Sequence, residues 1–553
     1  MTSEVSGHFV AAQSSRFGMI DAVGWQSPRH IVNEAKVADD KTKPTAPDLS
    51  QGISLADLPD GRMLIGHLDR EEILLVRVGE EVFAVSPHCT HYHGPLAEGL
   101  VAETALRCPW HHACFDLRTG NALRAPALDP IACWNVEQRE GMIFVRGKRE
   151  RAKPKPLGTA ADKPQKIVIV GGGAAGFASA DMLRREGYQG SIVMLSSDDA
   201  RPYDRPNLSK DYLAGAIPFK YVPLKDESYY LENNIEILLG QVARELDIRA
   251  SEVVLAGGDR IPYDRLLLAT GAEPVRLTVS GADQPHVHTL RSLADCQVIV
   301  KDAKLARRVV VIGASFIGLE VAAALRARKL EVHVVAPDKR PMERVLGPDM
   351  GHFIRTLHEE HGVVFHLEDK ATAIDGMTVR LESGGTLEAD LVVVGIGVRP
   401  RLELAEKAGL KLDRGVVVDQ YLETSAPGIY AAGDIARWPD PHTGDNIRVE
   451  HWVVAERQGQ AAAFSMLGDR TPFTTVPFFW SQHYDVPINY VGHAEDWDEL
   501  VIDGDVMGKD CLLRFKRNGR VTAVASIYRD LESLEAEVMM ERTRAGHETT
   551  DLS

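Results

Sequence analysis

From about Ile53 to residue 146 the apolar residues come in short runs broken by turn residues, the pattern of an all-β region. Residues 72–78 read as a strand with an apolar centre, 79–81 as a turn and 82–85 as the returning strand. A second hairpin is expected over 115–122, turning at Gly120, and residues 142–146 close the region. The texture changes at Lys166. A continuous apolar run over 167–170 leads into glycines, then a helical stretch that includes 178–185, then a second apolar run over 191–197. The same strand–helix–strand pattern recurs from Arg308, with its second strand from Glu331, so the middle of the chain reads as α/β with parallel sheets. The last segment alternates over 511–516, turns at Asn518 and Gly519, returns over 521–528 and ends in a helix from about Leu531, an α+β pattern.

Two stretches lack such periods. Residues 1–50 read as an extension with little core of its own, the part from Asp39 to Ser50 being rich in Lys, Pro, Asp and Thr. Residues 148–165 are charged and proline-bearing, as in an extended linker. The expected domains are therefore 51–147, 166–286, 287–396, 397–468 and 469–553, with 166–286 and 397–468 forming one unit around an inserted one. A chain of 553 residues is too long for a single core. Its net charge of −16 argues against nucleic acid or an anionic membrane as partner. No apolar run reaches the ~18 residues of a membrane span, and the start of the chain does not read as a secretory signal. Six scattered cysteines suit a reducing cytoplasm better than a disulfide framework.

The densest chemistry lies at Cys89-Thr90-His91 and, after sixteen residues, Cys108-Pro109-Trp110-His111. Two thiolates and two imidazoles are the ligand set of a Rieske [2Fe–2S] centre, with the histidines on one iron and the cysteines on the other. Zinc can use the same residue types. Redox chemistry downstream favours iron. Over residues 51–147 the chain resembles a Rieske ferredoxin, with Cys89, His91, Cys108 and His111 in the ligand positions. It lacks the extra cysteine pair of respiratory Rieske proteins, and His88, His93 and His112 are neighbours rather than ligands.

The glycine turn Gly171-Gly172-Gly173-Ala174-Ala175-Gly176 follows a strand and opens a helix, the context in which backbone N–H groups and the helix N-terminus receive a pyrophosphate. Asp198 and Asp199 end the next strand at the distance expected of a ribose-binding acid, with Asp198 favoured. In the second unit, Gly313-Ala314-Ser315-Phe316-Ile317-Gly318-Leu319-Glu320, serine replaces the middle glycine. Two dinucleotide units imply two nucleotide cofactors, most simply a flavin and a nicotinamide.

With both units placed, residues 166–553 resemble flavoprotein pyridine-nucleotide reductases, specifically the ferredoxin reductases of oxygenase systems and the related apoptosis-inducing-factor-like proteins. The motifs are Pro202-Tyr-Asp-Arg205 running on to Lys210, Leu268-Ala269-Thr270-Gly271, Tyr430-Ala-Ala-Gly433-Asp434, and Phe479-Trp480-Ser481. The resemblance implies FAD in the first unit and NAD(P)H in the second, on a glutathione-reductase-like fold with an α+β C-terminal domain. It gives Arg205 and Arg291 to phosphate or ring oxygens, Asp434 to the ribityl chain and Trp480 to the isoalloxazine. Gly397 joins the cofactor wall. Lys210 and Glu320 are implied as an ion pair at the reacting end of the flavin. No cysteine lies between Cys133 and Cys296, so the redox disulfide of disulfide-reductase relatives is absent and electrons must leave the flavin singly.

The expected function is NADH oxidation through FAD to the fused [2Fe–2S] centre, then to an acceptor protein such as an oxygenase. Histidine ligation, which raises a cluster to about −150 to +300 mV, makes that transfer downhill. The imidazole edges of His91 and His111, at loop tips, are the expected exit. The resemblance favours NADH, while Ala336, Asp338, Lys339 and Arg340 leave NADPH open. A homodimer is compatible with it. The alternative is a redox-responsive interaction protein that oxidises NADH slowly.

Overall fold

The computed structural model describes residues 46–151 and 163–543. Most of the expected extension and linker lies outside these residues.

The N-terminal domain is built on a six-stranded antiparallel sheet, in the order Ile53–Ser54, Met142–Lys148, Cys133–Arg139, Glu81–Val85, Glu71–Val78, Met63–Leu68. A smaller sheet of four short strands, Leu100–Ala102, Ala105–Arg107, Cys114–Asp116 and Ala122–Arg124, carries the second ligand loop between its middle strands. The domain core starts before residue 51: Leu49 is fully buried against it, and its N–H bonds to the His67 carbonyl.

The two nucleotide units are parallel sheets. The first has the order Ile235–Leu238, Ser191–Leu195, Lys166–Val170, Arg265–Leu268, Ile429–Ala431. Its chain order reverses beside Lys166–Val170, so a crevice opens at the C-terminal end of that strand, above the glycine turn. Gly171 has φ +126°, and Gly176 lies so close to the Gly171 carbonyl that a Cβ would sit 1.9 Å from its oxygen. Only glycine permits that packing of helix Ala174–Arg185 on the turn. The second unit repeats the arrangement, in the order Val287–Thr289, Leu391–Val394, Arg308–Ile312, Glu331–Ala336, Val363–Leu367. There Ser315 accepts from the Gly318 N–H at 3.2 Å and so caps helix Phe316–Ala327. The C-terminal domain is a five-stranded antiparallel sheet from Phe478–His483 to Glu499–Asp505, backed by helix Asp530–Arg542.

The Rieske-type domain is bolted to the reductase by buried charge. Glu537, fully buried on the C-terminal helix, accepts from Arg457 at 2.7 Å, from Arg107 at 3.2 Å and pairs with His112 at 3.0 Å. Arg457 also donates to the carbonyls of His112 and Ala125. Burial by itself would push the Glu537 carboxyl up, but Arg457 and His112 outweigh it and hold it well below the usual carboxylate range. Glu537→Ala leaves the buried Arg457 guanidinium without a carboxylate, while Arg107 keeps Glu541 at 2.7 Å, and should cost about 3–5 kcal/mol of stability, read by chemical denaturation. A depressed carboxyl stabilises above the unfolded-state value and is lost only below the folded one. The Glu537 contribution should therefore stay level from pH 8 to pH 5 and fall away only in stronger acid.

Candidate active site

A cavity of about 1150 Å³ runs from the first glycine turn across to the second nucleotide unit and ends against Trp480. It exceeds the ~300–1,000 Å³ of ordinary small-ligand sites, as an extended dinucleotide requires. Its wall contains Gly171, Gly172, Gly173, Ala174, Ala175, Asp198, Arg205, Lys210, Ala269, Thr270, Gly271, Arg291, Ser315, Phe316, Ile317, Glu320, Gly397, Gly433, Asp434 and Trp480. Gly176, Gly313 and Gly318 stand behind the wall, where they let the helices approach the turns: a Cβ on Gly318 would lie 2.2 Å from the Gly313 oxygen. Asp199 lines the cavity beside Asp198, whose carboxylate accepts from the Tyr203 hydroxyl at 2.6 Å.

The polar groups of this wall fit a flavin dinucleotide. Arg205 reaches to within 3.6 Å of where a Gly173 Cβ would stand, and its Nε is buried with no protein acceptor. Burial and the neighbouring Arg291 both lower the Arg205 guanidinium, so an anion between turn and guanidinium would be welcome on two counts. Arg291 donates to Asp434 at 2.5 Å, and Asp434 sits beside Gly433, whose φ is +80°.

At the far end Lys210 Nζ meets Glu320 Oε2 at 2.8 Å. Ser209 donates to the same oxygen at 2.5 Å and Ser481 to Oε1 at 2.6 Å. Burial raises the Glu320 carboxyl, but Lys210 and the two hydroxyls prevail and keep it below its ordinary value. The carboxylate form of Glu320 is therefore the favoured one. The sequence gives no sign of the serines as partners, since they lie 111 and 161 residues from Glu320. His451, also unmarked by any motif, lines the cavity and stacks on Phe479 at 4.0 Å.

The two loops that carry the Cys-x-His and Cys-x-x-His clusters lie side by side. Cys89 and Cys108 are buried and share a hydrogen bond. Burial pushes both thiols up, but the Cys89 contact and the N–H groups of Trp110 and His111 bring Cys108 below its usual value. A Cβ on Gly94 would stand 2.8 Å from Cys108 Sγ, so the first loop can pass the second only with glycine there. The imidazoles of His91 and His111 lie 5.0 Å apart, and His91 Nδ1 is buried with no protein partner. Among the described residues no three His, Cys, Asp or Glu side chains converge on one point. Donors arranged as a thiol pair and an imidazole pair suit a two-iron cluster, whereas tetrahedral zinc needs four on one centre.

The ligand histidines correct one expectation. They do not form an outward edge: His111 lies 4.3 Å and His91 6.1 Å from the Trp480 ring, which is part of the cavity wall. Tyr92 stacks on His91 at 3.8 Å and donates to Asp204 of the 202–210 loop, while Asn207 donates to the Tyr92 hydroxyl at 3.1 Å. Both imidazoles thus lie beside the Trp480 wall of the cavity. His112, expected only as a neighbour, is the buried partner of Glu537.

Family models match in the same order as the domains: Rieske [2Fe-2S] domain over residues 53–135, pyridine nucleotide-disulphide oxidoreductase over 165–459 and reductase C-terminal over 478–550. The chain belongs to the pyridine nucleotide-disulphide oxidoreductase family. Among curated relatives, human apoptosis-inducing factor 3 is 31% identical over 92% of this chain and 87% of its own. Rubredoxin-NAD(+) reductase of Pseudomonas putida is 40% identical over 61% of this chain and 89% of its own. Of solved structures, the covalent putidaredoxin reductase–putidaredoxin complex superimposes with a TM-score of 0.67 at 32% identity, covering 69% of this chain and 94% of that one. The protein is a flavin-dependent pyridine-nucleotide oxidoreductase with a fused Rieske [2Fe–2S] domain. Its six cysteines are all free, and none lines the cavity, so it has no redox disulfide despite the family's name.

Lys210→Met should leave Glu320 buried without its cation, so that its carboxyl rises and the reacting end of the cavity loses a fixed charge. We expect flavin reduction by NADH to slow by about 100-fold, measured by anaerobic stopped-flow bleaching, with FAD still bound.

Proposed function

We propose that this protein oxidises NADH and delivers single electrons to a separate acceptor protein through its own Rieske centre, as the reductase of an oxygenase-type system. The observation that carries this reading is the contact of His91 and His111 with Trp480 at the end of the FAD cavity. Bound FAD would supply the conversion of a hydride into two single electrons, and the [2Fe–2S] cluster the one-electron outlet. FAD would lie along the glycine turn, Arg205 and Asp434; Cys89, Cys108, His91 and His111 would hold the cluster. Lys210 and Glu320 fix a charge pair at the reacting end, where they position the nicotinamide ring and balance charge. Trp480 shields that end from water and separates it from the imidazoles. Because the imidazole edge is turned inward, the acceptor takes its electrons from another side of the Rieske domain.

Choice of NADH is supported by the loop after Glu331–Ala336. Arg340 is engaged by Glu343 at 3.1 Å and Arg344 by Asp338 at 3.2 Å, so two cations of this loop are already paired with carboxylates rather than open to a 2′-phosphate. Free, buried cysteines support a reducing, cytoplasmic setting. No helix of the described residues is long and apolar enough to cross a membrane.

A second reading, a redox-responsive interaction protein, draws on the likeness to apoptosis-inducing factor 3, which spans both the Rieske and reductase parts. The two separate on mixing with NADH and an excess one-electron acceptor. We expect flavin bleaching first, cluster reduction second and sustained turnover. In Cys89→Ser, bleaching should persist while the cluster's electron-spin-resonance signal and protein-acceptor reduction are lost. Cluster reduction ahead of the flavin would refute the scheme, and slow reduction coupled to a change of assembly state would favour the second reading.

A further inference from the structure

Oxidation of NADH by one-electron acceptors releases a proton: NADH and two oxidised acceptors give NAD+, H+ and two reduced acceptors. Hydride transfer brings that proton into a buried site, and iron carries away only electrons. One proton per NADH must therefore reach solvent from a cavity end lined by Lys210, Glu320, Phe479 and Trp480. The route is not part of the reductase reading above, although it rests on it.

A continuous line of hydrogen-bonding side chains starts at the ion pair. Ser481 Oγ, 2.6 Å from Glu320 Oε1, lies 3.1 Å from His483 Nε2. His483 Nδ1 lies 3.1 Å from His358 Nε2, and His358 Nδ1 is 3.4 Å from the Tyr484 hydroxyl. Both histidines are fully buried. Tyr484 is half-buried and stacks at 3.6 Å on the exposed ring of His361. The line crosses a domain boundary: His358 is on helix Glu343–Glu360 of the second nucleotide unit, and Ser481 and His483 are on the first C-terminal strand.

We propose that Ser481, His483, His358 and Tyr484 form a proton relay between the Lys210–Glu320 pair and solvent. Every link can both donate and accept. With Glu320 ionised and acceptor-only, the bonds have one consistent sense: Tyr484 donates to His358, His358 to His483, His483 to Ser481 and Ser481 to Glu320. Both rings are then neutral and carry hydrogen on Nε2. With Glu320 protonated the opposite sense holds. Passing one proton along the line moves the Glu320 proton to Ser481, that of Ser481 to His483 Nε2, that of His483 Nδ1 to His358 Nε2, that of His358 Nδ1 to Tyr484, and one from Tyr484 to water. This leaves Glu320 ionised and restores the first sense.

The surroundings favour neutral rings. Burial pushes His483 down to about 4 and His358 well below its ordinary value, with His483 and His361 lowering His358 further. The charged groups that face the relay are Lys210 and Glu320 at the inner end and Arg326 at the outer, with His361 beside Tyr484. Phe365 meets His358 edge-on at 6.1 Å, and both relay histidines are fully buried. A role in packing alone would require neither the matched nitrogen-to-nitrogen spacing nor an outlet.

The test uses the FAD- and cluster-loaded protein. NADH-reduced protein is mixed anaerobically with ferricyanide in weak buffer, and a pH-indicator dye records proton release beside flavin reoxidation. In His358→Gln and His483→Gln the rate of proton release relative to flavin reoxidation should fall at least tenfold; Tyr484→Phe, at the outlet, serves if the buried variants do not fold. Nitrogen-15 spectra of histidine-labelled oxidised protein should show both rings neutral and protonated on Nε2. A release ratio within twofold of wild type in the folded variants, or an imidazolium at either position at neutral pH, would overturn the relay. Failure of NADH to bleach the flavin in the wild type would instead strike the reductase reading.

Discussion

Everything in this molecule depends on the seating of two imidazoles against one indole. His91 and His111 touch Trp480 only because the loops that carry them are tied into the reductase at separate points. Tyr92 binds the first loop to Asp204 and Asn207, and Glu537 binds the second through His112, Arg107 and Arg457. A Rieske domain held by a tether alone would have to find its electron donor by diffusion. Here the search is removed and a fixed path is put in its place.

Buried charge does this work in two ways. Glu537 gathers arginines from two domains, which outweigh the desolvation of its carboxylate and hold it well below the usual range. Glu320 is buried to a similar degree but is held by one cation and two hydroxyls. The first arrangement fixes geometry. The second leaves a carboxylate whose remaining bonds lead outward through neutral side chains, which suits a group that must gain and lose a proton.

Much of this was legible in the sequence. The Cys-x-His and Cys-x-x-His clusters, the two glycine turns and the 202–210 and 430–434 motifs are local, because metal ligation and pyrophosphate binding demand particular residues at fixed spacings. Nearly all the residues they mark line one cavity or one pair of loops. The side on which His91 and His111 meet Trp480 is not legible in the sequence, since a loop tip reads as exposed when the residue packed against it lies almost 400 positions away. The serines on Glu320, the His112–Glu537 pair and the His358–His483 contact span 111, 161, 425 and 125 residues and carry no motif.

By itself, then, the sequence determined the kinds of domain, their order, the cofactors they are shaped for and the absence of a redox disulfide, all of which follow from short-range residue chemistry. Tertiary structure alone decided which way the Rieske centre faces, what holds it there and where a proton can leave. Those properties belong to contacts between separate domains, and no period or spacing along one strand or helix specifies which side chain of another domain it will meet.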